Sequence, residues 1–216
     1  MTKSHSSPPH LEVLDDTQQR VMTLLASFVE HHGFYLAGGT GLALRLGHRK
    51  SVDFDWFRNE SFDPVALRSE MRKTMEIMEL ASAPGTLHAS IDQVRVTFLA
   101  YDYPLLEKPE SFPELAIAIA SPDDLAAMKL AALLQRGERK DLYDIDILML
   151  EHGPLKDLLG AFERKFEFEG TGSLLRALTY FDEAEATPDP MLLDQRLSWE
   201  RTRERLKKAV RDFASS

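Results

Sequence analysis

Apolar residues recur at helical spacing soon after the start of the chain. Val21, Leu24, Leu25, Phe28 and Val29 fall on one face, and Gly33 is a natural stop, so the spacing predicts a helix from Thr17 to Gly33. Phe34 to Ala37 is a short apolar run that reads as a strand. Gly38-Gly39 breaks it, and Thr40 to Leu46 reads as a short helix with Leu42, Ala43 and Leu46 inward. Gly47-His48-Arg49-Lys50 is a turn. Val52 to Phe57 alternates as a strand does, with Val52, Phe54 and Trp56 on one face. Asp63-Pro64 opens a helix predicted to reach about Leu80. Leu87 to Ile91 and Val94 to Tyr101 form a hairpin through Asp92-Gln93, Pro104 to Pro113 is a proline-rich loop, and Leu115 to Ile119 is a short strand.

The pattern then becomes helical. Ser121-Pro122-Asp123-Asp124 combines a capping serine, a proline in the first turn and acids at the positive end of the helix dipole. The helix it starts carries Leu125, Met128, Lys129, Ala132 and Leu133. Further helices are expected at Arg139–Glu151, Leu155–Phe166, near Ser173–Asp182 and at Asp194–Phe213. Strands first and helices later make an α+β protein: a small mixed β-sheet flanked by helices, then a helical C-terminal half. The expected organisation is a tail over residues 1–10, a sheet-bearing core over 11–119 and a helical region over 120–216 packed on that core.

Composition narrows the chemistry. The absence of cysteine removes disulfides, thiolate zinc sites and cysteine nucleophiles, and fits a reducing, cytoplasmic setting. The polar start does not read as a signal peptide, and no apolar run approaches the roughly 20 residues of a membrane helix. The formal net charge of −9 argues against non-specific coating of nucleic acid, which phosphate neutralisation dominates. Any nucleic-acid contact should be local.

The candidate chemistry sits between Gly38 and Asp55. Gly38 and Gly39 allow positive φ and close approach of the backbone, and Thr40 follows at the start of a helix, where N–H groups and the dipole favour an anion such as phosphate. Gly-Gly alone is more often a plain turn. Asp53 and Asp55, two apart on a strand, leave the same face. An Asp-x-Asp alone is more often a solvated face. Following the glycine turn, the pair suits Mg²⁺ (or Mn²⁺), which takes oxygen ligands from one or two carboxylates together with substrate phosphates.

Phe34-Tyr35-Leu36-Ala37-Gly38-Gly39-Thr40-Gly41-Leu42-Ala43-Leu44, Leu46-Gly47-His48-Arg49 and Ser51-Val52-Asp53-Phe54-Asp55 together resemble the AbiEii/AbiGii toxin family of nucleotidyltransferases, within the DNA-polymerase-β-like superfamily. The resemblance continues in Asp123-Asp124-Leu125-Ala126-Ala127-Met128-Lys129-Leu130-Ala131-Ala132 and Arg136-Gly137-Glu138-Arg139-Lys140-Asp141-Leu142-Tyr143-Asp144. It implies a nucleotidyltransferase fold and transfer of a nucleotidyl group from a nucleotide triphosphate to an acceptor hydroxyl, with RNA, a tRNA end or a protein hydroxyl as acceptor and a cognate antitoxin as partner. Residue by residue, it implies that Gly39 and Thr40 contact nucleotide phosphates, with Gly38 and Arg49 beside them. Asp53 and Asp55 would ligate the metal, Lys129 would meet the triphosphate, and Asp141 would be an active-site acid with Lys140 or Arg139 nearby.

Other features carry plainer readings. A lysine flanked by Leu125, Met128, Ala132 and Leu133 either snorkels outward or reaches into a cleft. Asp141 and Asp144 share a helix face, whereas Asp146 and Glu151 read as solvated. His48 and the His31-His32 pair read as surface or turn residues, because no third ligand lies at useful spacing. The arginines and lysines from Arg196 to Arg211 form either a solvated helix face or a surface for tRNA or antitoxin. Enzymes of the superfamily usually carry a third carboxylate on a later strand, and Val94 to Leu99 offers none, with Asp92 and Asp102 read as turn residues. The alternative to a transferase is therefore a degenerate relative that binds nucleotide or a partner protein.

Overall fold

The computed structural model describes residues 8–168 and 170–215. Most of the tail expected over residues 1–10 lies outside them. His10 is held in place: its N–H donates to the Leu44 carbonyl at 2.8 Å. The chain divides into two compact units, one of residues up to Asp102 with Glu110–Ile119, the other of Tyr103–Pro109 with Ala120 onward.

The first unit contains the sheet. Helix α1 (Asp16–His31) is started by a capping box, in which the Asp15 side chain accepts from Gln18 N–H and the Gln18 side chain accepts from Asp15 N–H. It buries Val21, Met22, Leu25, Ala26 and Val29. Seven strands follow: β1 (Tyr35–Leu36), β2 (Asp53–Arg58), β3 (Met78–Ala83), β4 (Thr86–Ile91), β5 (Val94–Ala100), β6 (Glu110–Phe112) and β7 (Ile117–Ile119). They form one mixed sheet in the order β3-β4-β5-β2-β1-β7-β6. Strand β2 runs antiparallel to β1 and parallel to β5, and β1 runs parallel to β7.

Alternation along β2 and β5 separates two faces. Phe54, Trp56, Val96 and Phe98 are buried on one, and the Phe28 ring of α1 meets Phe98 there at 6.3 Å. Asp53, Asp55, Arg95 and Thr97 take the other. Val52, expected to fill the apolar face, lies before β2 and is 75% exposed.

Two elements depart from expectation. The helix beginning at Pro64 (α3, Pro64–Met71) stops well short of Leu80, and Met78–Ala83 instead pairs along β4. A longer helix would leave the β4 edge without hydrogen-bond partners. Met78 and Leu80 are exposed on this edge strand. The proline-rich loop contains β6, which pairs with β7. The Asp92-Gln93 hairpin turn is as expected, with φ of 47° and 67° at its two residues.

The second unit is helical: α4 (Pro122–Arg136), α5 (Arg139–Glu151), α6 (Leu155–Phe166), α7 (Gly172–Ala177), α8 (Asp182–Glu185) and α9 (Trp199–Ala214). Three acids read from sequence as helix-dipole, site or solvated groups are interior here. Asp124 is fully buried, receiving Lys165 Nζ at 2.6 Å and the N–H groups of Leu106 and Glu107. Asp146, also buried, accepts from Thr202 Oγ1 at 2.5 Å and Arg205 Nε at 2.6 Å, tying α5 to α9. Asp144 is described with the site below. The basic face of α9 is largely engaged in pairs: Arg203 with Glu185, Lys208 with Asp212, Lys207 with Glu204.

Candidate functional site

In the first unit the glycine turn and the acid pair are directly apposed. Helix α2 (Gly38–Leu46) starts at Gly38, two residues earlier than the sequence pattern suggests, and no side chain among the described residues caps it. An N-terminus of this kind suits an external anion. The Ala37 N–H donates to the Asp55 carbonyl at 3.0 Å, which pins the turn to β2. Gly38 has φ of 63°, and a Cβ there would stand 2.6 Å from Asp55 Oδ2. At Gly39 a Cβ would stand 2.7 Å from Arg49 Nη2. Each glycine therefore makes room for a particular charged group.

Arg49 is buried, and its Nη1 donates to the Lys50 carbonyl at 2.9 Å. His48 is fully buried rather than at the surface. The Thr40 hydroxyl is also interior: it donates to the Asp53 carbonyl and lies 2.6 Å from Ser51 Oγ, from which it can accept. That side chain anchors α2 to the start of β2, and only the Thr40 backbone N–H remains for a ligand.

Asp53 and Asp55 are half-buried on their shared face. Strand register puts Arg95 beside Asp53 and Thr97 beside Asp55. Thr97 Oγ1 lies 3.2 Å from His88 Nδ1 on β4, so a carboxylate, a hydroxyl and an imidazole follow one another across three strands. The sequence gives Thr97 no more than a water or a weaker metal contact and does not single out His88, because cross-strand register has no signal in local periodicity.

The second unit gathers Lys129, Arg136, Asp141 and Asp144. Lys129 Nζ lies 2.6 Å from Asp144 Oδ2 and 3.5 Å from Asp141 Oδ1. Arg136 grips Asp141 with two bonds of 2.8 Å, from Nε and Nη2. Both carboxylates are fully buried, and the Lys129 side chain is 4% exposed. The lysine thus neither snorkels nor stands open to a ligand. Arg136, with 44% of its side chain exposed, is the cation of the group with substantial surface. Lys140 turns to Glu138 at 2.8 Å, and Arg139 to Asp189 at 2.7 Å. Arg136 and Asp144 both lie inside the motif block read from sequence, but only contacts between α4 and α5 single them out.

The family model of the AbiEii nucleotidyl transferase toxins, of type IV toxin–antitoxin systems, matches residues 20–106 and 91–215. The chain belongs to the AbiEii family. An uncharacterized protein of Aquifex aeolicus (strain VF5) is 34% identical to this AbiEii chain over 203 residues, 93% of this chain and 97% of that one. Among solved structures, the nucleotidyltransferase toxin MenT4 of Mycobacterium tuberculosis H37Rv aligns with a TM-score of 0.59 and 16% identity, over 91% of this chain and 83% of its own. A candidate nucleotidyltransferase of H. pylori aligns with a TM-score of 0.57 and 14% identity, over 94% and 96%. These likenesses show the nucleotidyltransferase fold expected from the motifs.

The glycine turn yields a direct prediction for this AbiEii chain. Gly38→Ala places a side chain at positive φ, at a strain of roughly 1–2 kcal/mol, and forces the Asp55 carboxylate aside. The urea midpoint should fall accordingly. At Gly39 the backbone has no such strain and the obstacle is the tip of the Arg49 side chain, so Gly39→Ala should lower the midpoint less. Equal midpoints for parent and Gly38→Ala would refute this account of the turn.

Proposed function

We propose that the protein is a Mg²⁺-dependent nucleotidyltransferase that moves a nucleotidyl group from a nucleotide triphosphate to an acceptor hydroxyl on RNA, such as a tRNA end, and that it acts as a toxin held by a cognate antitoxin. One observation carries the reading: Asp53 and Asp55 share a sheet face beside the uncapped N-terminus of α2, with Gly38 packed on the Asp55 carboxylate. The N–H groups of Gly38, Gly39 and Thr40 would bind triphosphate oxygens, and the buried Arg49 guanidinium would add positive charge behind them.

Two half-buried carboxylates with parallel aim are a hard-oxygen donor set that fits Mg²⁺, which would offset the charge of the phosphates and of the departing pyrophosphate. The protein's own task is positioning. Asp53 and Asp55 are held by strand pairing, the turn by the Ala37–Asp55 bond, and α2 by Thr40. In the second unit we assign Lys129 and Asp141 to positioning as well. Their ion group orients Arg136, whose exposed part is suited to phosphate. Lys140 would contribute a further positive charge.

Incubation with each labelled nucleotide triphosphate, Mg²⁺ and total RNA tests the reading. Label transferred to RNA supports it, and no transfer with any of the four counts against it. A second reading, nucleotide binding without turnover, is favoured by Thr97 occupying the register position beside Asp55 on a strand with no carboxylate. It predicts saturable nucleotide binding with no transfer to RNA or protein.

A further inference from the structure

The sequence offers His31 and His32 without a third ligand. The fold supplies one: Glu70, from α3, brings a carboxylate oxygen to a ring nitrogen of each histidine, the three within 4.8 Å of one another. We propose that His31, His32 and Glu70 bind a borderline transition-metal dication of the Zn²⁺ type, clamping the end of α1 to α3.

Geometry and chemistry both support the site. His32 Nε2 stands 3.3 Å from Glu70 Oε1. Ligands about 2.0–2.1 Å from a tetrahedral Zn²⁺ are roughly 3.3–3.4 Å apart, so this edge is already at length. The same Nε2 is buried and, apart from the Glu70 carboxylate at 3.3 Å, makes no hydrogen bond among the described residues, so a metal bond would satisfy it. Two imidazoles with one carboxylate suit Zn²⁺ far better than Mg²⁺, which prefers oxygen. His32 leaves the helical conformation at the C-cap, which lets two adjacent side chains converge. Its ring is braced against Phe28 at 4.4 Å, and the two histidine rings meet edge-on at 5.0 Å. The site also lies at the negative end of the α1 dipole, where a cation is favoured. Arg58 Nη1 donates to the His32 carbonyl at 3.3 Å, so that favour is partly used.

The location separates this site from the acid pair. Phe28, which braces His32, packs on Phe98 at the apolar face of the sheet, while Asp53 and Asp55 take the opposite face. The clamp would therefore stabilise the first unit without entering the proposed transfer. Glu70 and His31 are exposed, so substituting them should not disturb the core.

Calorimetric titration of the full chain with Zn²⁺, in buffer containing excess Mg²⁺, tests the proposal, with melting temperature as a second readout. One Zn²⁺ should bind per chain and raise the melting temperature. His31→Gln and Glu70→Gln should each weaken binding at least ~10-fold while melting like the parent in EDTA. Asp55→Asn should bind Zn²⁺ as the parent does. Unchanged affinity in both His31→Gln and Glu70→Gln, or loss of binding in Asp55→Asn alone, would overturn the assignment.

Discussion

Asp55→Asn is expected to lower nucleotidyl transfer on the order of 10³-fold or more, the scale of losing a preorganised charge at a phosphoryl-type centre, while leaving the fold intact. The change keeps the shape of the side chain against Gly38 and the backbone bond to Ala37, so the turn retains its supports. It also removes a like charge from beside Asp53, and like charges on one strand face repel. Without metal the variant should therefore melt at or slightly above the parent. With Mg²⁺ and a nucleotide triphosphate the order should reverse, because only the parent gains the stabilisation that follows from binding the folded state. Asp53→Asn should behave similarly. Transfer at the parental rate in a folded Asp55→Asn protein would remove the acid pair from the mechanism.

Lys129→Met should have the largest effect on stability. It removes the cation 2.6 Å from the fully buried Asp144 carboxylate and so breaks that ion pair from one side. Breaking a buried pair from one side costs about 3–5 kcal/mol. For a chain of this size that corresponds to a fall in melting temperature on the order of 10 °C. Asp141 keeps its two bonds from Arg136, so the loss centres on Asp144. The double variant Lys129→Met with Asp144→Leu should recover much of the loss, since it leaves no orphan charge. A single variant that melts with the parent would show that Asp144 does not depend on this lysine. Transfer assays on the refolded or double variant then separate the proposed positioning role from stability: restored stability without restored activity supports it.

Much of the front half was legible because its signals are local. The positive φ at Gly38, the turn at Gly47 and the Asp92-Gln93 turn each depend on a few adjacent residues. The strand at Met78 was not, since the helix opened by Asp63-Pro64 carries no local stop signal before Leu80 and only the open edge of β4 selects pairing. Buried acids were the other blind spot. Nothing local marks Asp124, Asp144 or Asp146 as interior until Lys165, Lys129 and Arg205 arrive from other helices.

The sequence by itself determined which residue types could meet phosphate and metal: a glycine turn entering a helix, and two acids sharing one strand face. These follow from backbone sterics and a two-residue period, which act over a few positions. Tertiary structure alone decided the partners. It set Asp55 against Gly38, Thr97 beside Asp55, Lys129 onto Asp144, and Glu70 against His31 and His32. Such pairings join segments distant in the chain, and they are chosen by packing and by the cost of leaving buried charges and edge hydrogen bonds unmatched.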